Sequence, residues 1–172
     1  KINFLKLKLN SPKNIINKFQ FKNKENKEVW ETFNVLSQEP AECLGAYVIS
    51  MTSSASDILS VSFLQKEAKI KNKLRVVPLF ETLEDLINAK QIIENLFSQK
   101  WYRKLINYKQ EVMIGYSDSS KDAGKMCASW HQYKAQEEIV KLAKRYNIEI
   151  VFFHGRGGSA GRGGGPILAT LR

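Results

Sequence analysis

Four short apolar runs punctuate the chain at a near-regular interval, and that rhythm limits the fold more than any other feature. They cover residues 46–51 (AYVISM), 74–80 (LRVVPLF), 111–116 (EVMIGY) and 148–153 (IEIVFF). Each reads as a strand. Helical patterns lie between them. Ser54 and Asp57 fit a capping box that opens a helix to about Ala68, and Thr82 and Asp85 fit a second. After the second box, Leu86, Ala89, Ile93 and Leu96 recur at spacings of three and four. Ala123, Met126, Cys127, Trp130 and Tyr133 mark one face of a longer helix reaching about Tyr146. A strand–helix repeat of roughly 30–37 residues predicts βαβ units and a parallel sheet. Two architectures satisfy it, a doubly wound open sheet and a (β/α)₈ barrel. A whole barrel needs about 250 residues, so four strands would be half of one.

Composition narrows the class further. With 172 residues and 43% apolar content, the chain can build one core. The net charge of +10 first suggests a polyanionic partner. Its distribution weakens that reading. Residues 1–27 hold eight lysines and one acid, for +7, which leaves only 10 − 7 = +3 for residues 28–172. The basic excess is local to a Lys/Asn-rich start, read as a loop or insertion over 1–28 ahead of a globular unit over 29–172. A short helix is expected near 28–38, ending before Pro40. Cys43 and Cys127 make no ligand-like pair and suit a reducing compartment. No apolar run approaches the ~20 residues that span a bilayer, and no signal-peptide pattern is present. Lys1 stands where Met would start a chain and Arg172 closes no evident element, so an internal piece of a longer polypeptide is expected.

Both candidate architectures place chemistry at the carboxyl ends of the strands. Polar residues gather there: 53–57, Glu81, 117–121 and 154–162. Glu81 directly follows the second run and Asp118 lies two residues past the third. On neighbouring parallel strands they would share a rim, and two carboxylates with room for water suit Mg²⁺ or Mn²⁺. The plainer reading is that each acid favours a helix N-terminus. Lys121 opposes the dipole of the helix it starts, which makes sense if it faces an anion; otherwise it is a solvated surface lysine.

The sharpest feature is 153–166, FHGRGGSAGRGGGP, with seven glycines, two arginines and no acid. Glycines let backbone N–H groups approach a ligand, and successive N–H groups form an anion nest. Arg156 and Arg162 add planar forks suited to phosphate and carboxylate. After a strand, this reads as an oxyanion loop; the alternative is a flexible linker. The match to a dinucleotide fingerprint through Gly155, Gly157 and Ala160 is poor, and no Walker lysine is followed by Ser or Thr. An RGG-type RNA-binding tail fits less well beside an apolar strand. His131 reads as structural. His154 either orients a ligand or bonds a backbone group, the second being preferred. Trp101 and Tyr102 read as packing residues.

Four segments, GAYVISMTSSASD (45–57), LRVVPLFETLEDL (74–86), QEVMIGYSDSSKDAG (110–124) and FHGRGGSAGRGGGP (153–166), resemble phosphoenolpyruvate carboxylase in order and spacing. The resemblance covers about 30–172; the first 28 residues match poorly. It implies an α/β fold, about four βα units of a (β/α)₈ barrel within a larger, mostly helical protein. It also implies carboxylation of phosphoenolpyruvate by bicarbonate, with Mg²⁺ or Mn²⁺, giving oxaloacetate and phosphate through carboxyphosphate and pyruvate enolate. By position, Glu81 and Asp118 would be metal ligands, and Lys121 and Arg156 would contact phosphoenolpyruvate or the intermediates. Gly157 and Gly158 fall in the same substrate loop. Arg162 would be its second arginine, near bicarbonate and linked to feedback inhibition. The resemblance further implies a cytoplasmic homotetramer that supplies the tricarboxylic acid cycle, with no nucleic acid or membrane partner. The family's catalytic histidine belongs to a motif absent here, so the 172 residues alone are expected to be inactive and to fold poorly.

Overall fold

Two reciprocal caps set the frame. In the computed structural model, which describes residues 1–16 and 21–155, Asp57 accepts the N–H groups of Ser53 and Ser54 at 3.1 and 2.8 Å. This closes a capping box and starts helix α3 (Ala55–Glu67). Thr82 Oγ1 accepts the N–H of Asp85 at 3.1 Å, and Asp85 accepts the N–H of Thr82 at 3.1 Å, starting α4 (Leu83–Phe97). Each box satisfies N–H groups that the first helical turn leaves without partners.

The apolar runs form β1 (Ala46–Ile49), β2 (Arg75–Phe80), β3 (Lys109–Gly115) and β4 (Glu149–Gly155). All neighbouring pairs are parallel and the order is β1-β2-β3-β4. A doubly wound sheet reverses its order at a switch point. Here the strands advance one way throughout, as they do around a barrel. The helices α3, α4 and α6 (Ser117–Tyr146) follow β1, β2 and β3 respectively, and α4 lies along α6.

Alternation along the strands gives the sheet two unlike faces. Phe80, Val112 and Ile114 point into a core that they share with Ile58, Leu59, Ile93, Leu96 and Ile139 from the helices. On the other face Val48, Val151 and Phe153 remain 43, 37 and 56% exposed. At the amino-terminal end, the Tyr102 hydroxyl donates to Gln110 Oε1 at 2.7 Å, and Gln110 Nε2 donates to the carbonyls of Val76 and Glu111. Burial pushes the Tyr102 phenol well up from its ordinary pKa, so it stays a neutral donor.

Two elements depart from the sequence reading. The start, expected as a loop or insertion over 1–28, opens with helix α1 (Ile2–Asn10), and α2 (Lys24–Leu36) begins before residue 28. Leu5 is buried in the main core, with Ile2 and Leu9 packed beside it, a spacing of three and four on one face. Lys66 Nζ donates to the carbonyls of Lys8 and Ser11, and Glu67 accepts the N–H groups of Ile15 and Ile16 at 2.5 and 2.8 Å. The short helix α5 (Lys100–Leu105) carries Trp101 and Tyr102, and both pack on the core as expected.

Candidate active site at the carboxyl ends of the strands

Strand register brings the candidate residues to one edge. Phe80 pairs with Ile114, and Gly115 with Gly155, so the chain leaves β2, β3 and β4 at one level. Glu81 is the first residue past β2. A Cβ built on Gly115 would lie 2.5 Å from Glu81 Cβ and 2.9 Å from its Cα. Only glycine lets the end of β3 come this close to Glu81. The next turn is then pinned: the N–H of Ser119 donates to the Glu81 carbonyl at 2.8 Å. Ser119 directly follows Asp118, so this bond sets Asp118 beside Glu81.

Electrostatics report the same proximity. The Glu81 carboxyl is raised above its ordinary pKa, first by lost hydration and then by the negative charges of Asp118 and Asp85. Asp118 Oδ1 accepts from Lys121 Nζ at 2.9 Å, with the two side chains 40 and 68% exposed. The lysine that opposes the helix dipole is thus offset locally by the acid three residues before it. Gly124 interrupts α6 just beyond, at φ 76°, a conformation that glycine adopts without strain.

Two neighbouring carboxylates, one of them raised in pKa partly by the other's charge, fit a hard divalent cation. Mg²⁺ is commonly held by one or two carboxylates together with water and substrate oxygens. Among the described residues no group of three His, Cys, Asp or Glu side chains could hold a metal.

Beside this pair, the Tyr116 hydroxyl and His154 Nδ1 share a 2.7 Å hydrogen bond, with ring centroids 5.9 Å apart. His154 therefore bonds a side chain and not the backbone group expected from sequence. His131 is structural as expected: its Nδ1 lies 2.9 Å from the Cys127 carbonyl oxygen within α6. Arg156, Gly157, Gly158 and Arg162 lie outside the described residues. β4 delivers the chain to Gly155, one residue before Arg156, at the rim that holds Glu81 and Asp118.

Sequence reasoning missed three residues here. Gly115 gave a weak signal, since a glycine ending an apolar run can mark a close approach. Ser119 and Gln132 gave none. Both are buried, and Gln132 Nε2 donates to the Gly115 carbonyl at 3.0 Å and to Ser119 Oγ at 3.2 Å. That contact spans a turn and half of α6, and no local periodicity encodes it.

Comparison with known proteins assigns the chain to a family. Residues 1–171 match the family model described as phosphoenolpyruvate carboxylase. Phosphoenolpyruvate carboxylase 3 of Arabidopsis thaliana is 58% identical over 151 residues, 87% of this chain and 16% of that protein. A phosphoenolpyruvate carboxylase of Flaveria pringlei is 59% identical over 151 residues, with the same coverage. One from Solanum tuberosum is 54% identical over 151 residues, again 87% of this chain. The chain spans about 16% of the length of these relatives. With four successive parallel strands, two acids brought to one rim and a family match along nearly its whole length, the chain belongs to the phosphoenolpyruvate carboxylase family.

Proposed function

We propose that the polypeptide containing this segment joins bicarbonate to phosphoenolpyruvate, releasing oxaloacetate and phosphate. The observation that carries the proposal is the placement of Glu81 and Asp118, tied by the Ser119 N–H to Glu81 carbonyl bond and near enough for the Asp118 charge to raise the Glu81 carboxyl. In this reading a bicarbonate oxygen attacks phosphorus and the bond to the enol oxygen breaks, leaving carboxyphosphate and pyruvate enolate. Carboxyphosphate then yields carbon dioxide and phosphate, and C3 of the enolate attacks the carbon dioxide.

The residues divide the work by charge. Glu81 and Asp118 would hold the cation. Bound Mg²⁺ or Mn²⁺ supplies Lewis-acid polarisation and neutralises charge on substrate oxygens. Lys121, 68% exposed, is long enough to exchange its Asp118 contact for a substrate anion. Arg156 and Arg162 bring bidentate donors to phosphate and carboxylate, with Gly157 and Gly158 letting the backbone come close. Phosphoryl transfer gains mostly from such positioning and charge compensation. The rest of the barrel, the catalytic histidine, the homotetramer and the cytoplasmic setting belong to the longer polypeptide in this proposal. Neither nucleic acid nor a membrane has a part in it, and no described helix is long and apolar enough to cross a bilayer.

The test is Arg156→Ala in the full-length parent, assayed for bicarbonate-dependent oxaloacetate formation. Loss of one such donor costs about 3 kcal/mol of barrier, roughly a hundredfold in kcat. Turnover near that of the parent would remove Arg156 from the site. Product formation independent of bicarbonate would instead indicate a different phosphoenolpyruvate-handling reaction.

A further inference from the structure

The buried amide of Gln132 has no place in the reaction as proposed, yet it reaches the rim from the far half of α6. Its side chain is buried, where an unpaired amide is costly. Both of its side-chain hydrogen bonds go to the same small region. Nε2 donates to the carbonyl of Gly115, the last residue of β3, and to the hydroxyl of Ser119, which is fully buried. Ser119 is held from its other side as well, through its N–H to the Glu81 carbonyl. A continuous path therefore runs from Gln132 through Ser119 to the Glu81 peptide, with Asp118 attached covalently to its middle member.

We infer that Gln132 and Ser119 form the outer support that fixes the separation of the two carboxylates and so sets affinity for the divalent cation. The inference rests on the reading of Glu81 and Asp118 as the cation site. Such supports act by orienting ligands, and their loss typically lowers metal affinity about 10- to 100-fold. Gln132 is a positioning residue, since it touches neither substrate nor the carboxylates. Its bond to Gly115 matters because Gly115 is the residue packed against Glu81; moving that carbonyl would move the packing as well. Glycine at 124 breaks the helix between Asp118 and Gln132, so the two ends are not locked by one rigid helix and need a side-chain tie.

The test uses the full-length parent with Gln132→Met, which keeps length and removes the donor, and Ser119→Ala, which removes the acceptor with little change in volume. Direct Mn²⁺ binding is followed by electron paramagnetic resonance without substrate, alongside thermal unfolding. The expected result is a dissociation constant for Mn²⁺ raised about 10- to 100-fold in either variant. The kcat at saturating Mn²⁺ should fall far less. Asp118→Asn serves as the reference. If Asp118→Asn loses Mn²⁺ while both support variants bind it normally, the role given to Gln132 and Ser119 is overturned and the cation site stands. If Asp118→Asn itself binds normally, the cation site is wrong and the inference goes with it. Should Gln132→Met fail to fold, Ser119→Ala alone decides.

Discussion

At the residue scale, ionised Glu81 carries a burden set by its surroundings. Its carboxyl is raised by lost hydration, then by Asp118 and Asp85. A carboxyl raised in the folded state binds its proton more tightly there than in the unfolded chain. Its contribution to stability is full below the ordinary value of 4.5 and is lost as pH rises through the raised folded value. Above that point the ionised group opposes the fold. In the chelator-treated parent, Glu81→Gln should therefore lose less stability than the unsubstituted protein as pH rises from below 4.5 through the raised Glu81 value. The same variant should lose Mn²⁺ binding. Thermal unfolding across that range checks the first part, and parallel slopes for both proteins would contradict it. The placement of Glu81 and Asp118 at the rim was legible because each follows an apolar run at a strand's end. Gly115, Ser119 and Gln132 were not, because a close approach or a buried amide bond depends on which segments fold back together.

At the scale of elements, local chemistry was most legible where it is self-contained. Both capping boxes stand where Ser54/Asp57 and Thr82/Asp85 put them, because each closes within four residues. The strands were legible from their spacing. Helix α1 was obscured by its lysines, although Ile2, Leu5 and Leu9 keep a helical period and reach the core. Helix α5, six residues long, is too short to show a period. The second capping box also bears on the site, since Asp85 accepts the N–H of Glu81 at 3.3 Å as well as that of Thr82. Thr82→Ala should weaken the start of α4 by about 1 kcal/mol. Hydrogen exchange in the parent should show this as lower protection of the first-turn amides of α4. Unchanged protection there would mean the box contributes nothing to the helix start.

At the scale of the whole molecule, the segment exposes apolar groups on two separate surfaces. Val48, Val151 and Phe153 line the sheet face away from the helices, at 43, 37 and 56% exposure. Met126, Trp130 and Tyr133, spaced by four and three on α6, are 87, 60 and 59% exposed. A sheet whose strands advance in one direction and carry helices on one side is suited to closing on itself, which would bury the first of these surfaces. The relatives are far longer than this segment, so they hold chain enough to cover both. Large contiguous exposed apolar patches drive association when nothing covers them. The 172-residue segment made alone is therefore expected to self-associate, to bind a hydrophobic dye and to form no oxaloacetate from phosphoenolpyruvate and bicarbonate. Oxidative footprinting separates the two surfaces. Met126 and Trp130 should react readily in the isolated segment and much more slowly in the parent, as should Phe153 on the sheet face. A monomeric, dye-negative segment would show that its exposed faces are not interfaces awaiting the rest of the chain. Equal reactivity in the parent at Phe153 alone would leave the helix face covered and argue against closure of the sheet over its apolar side.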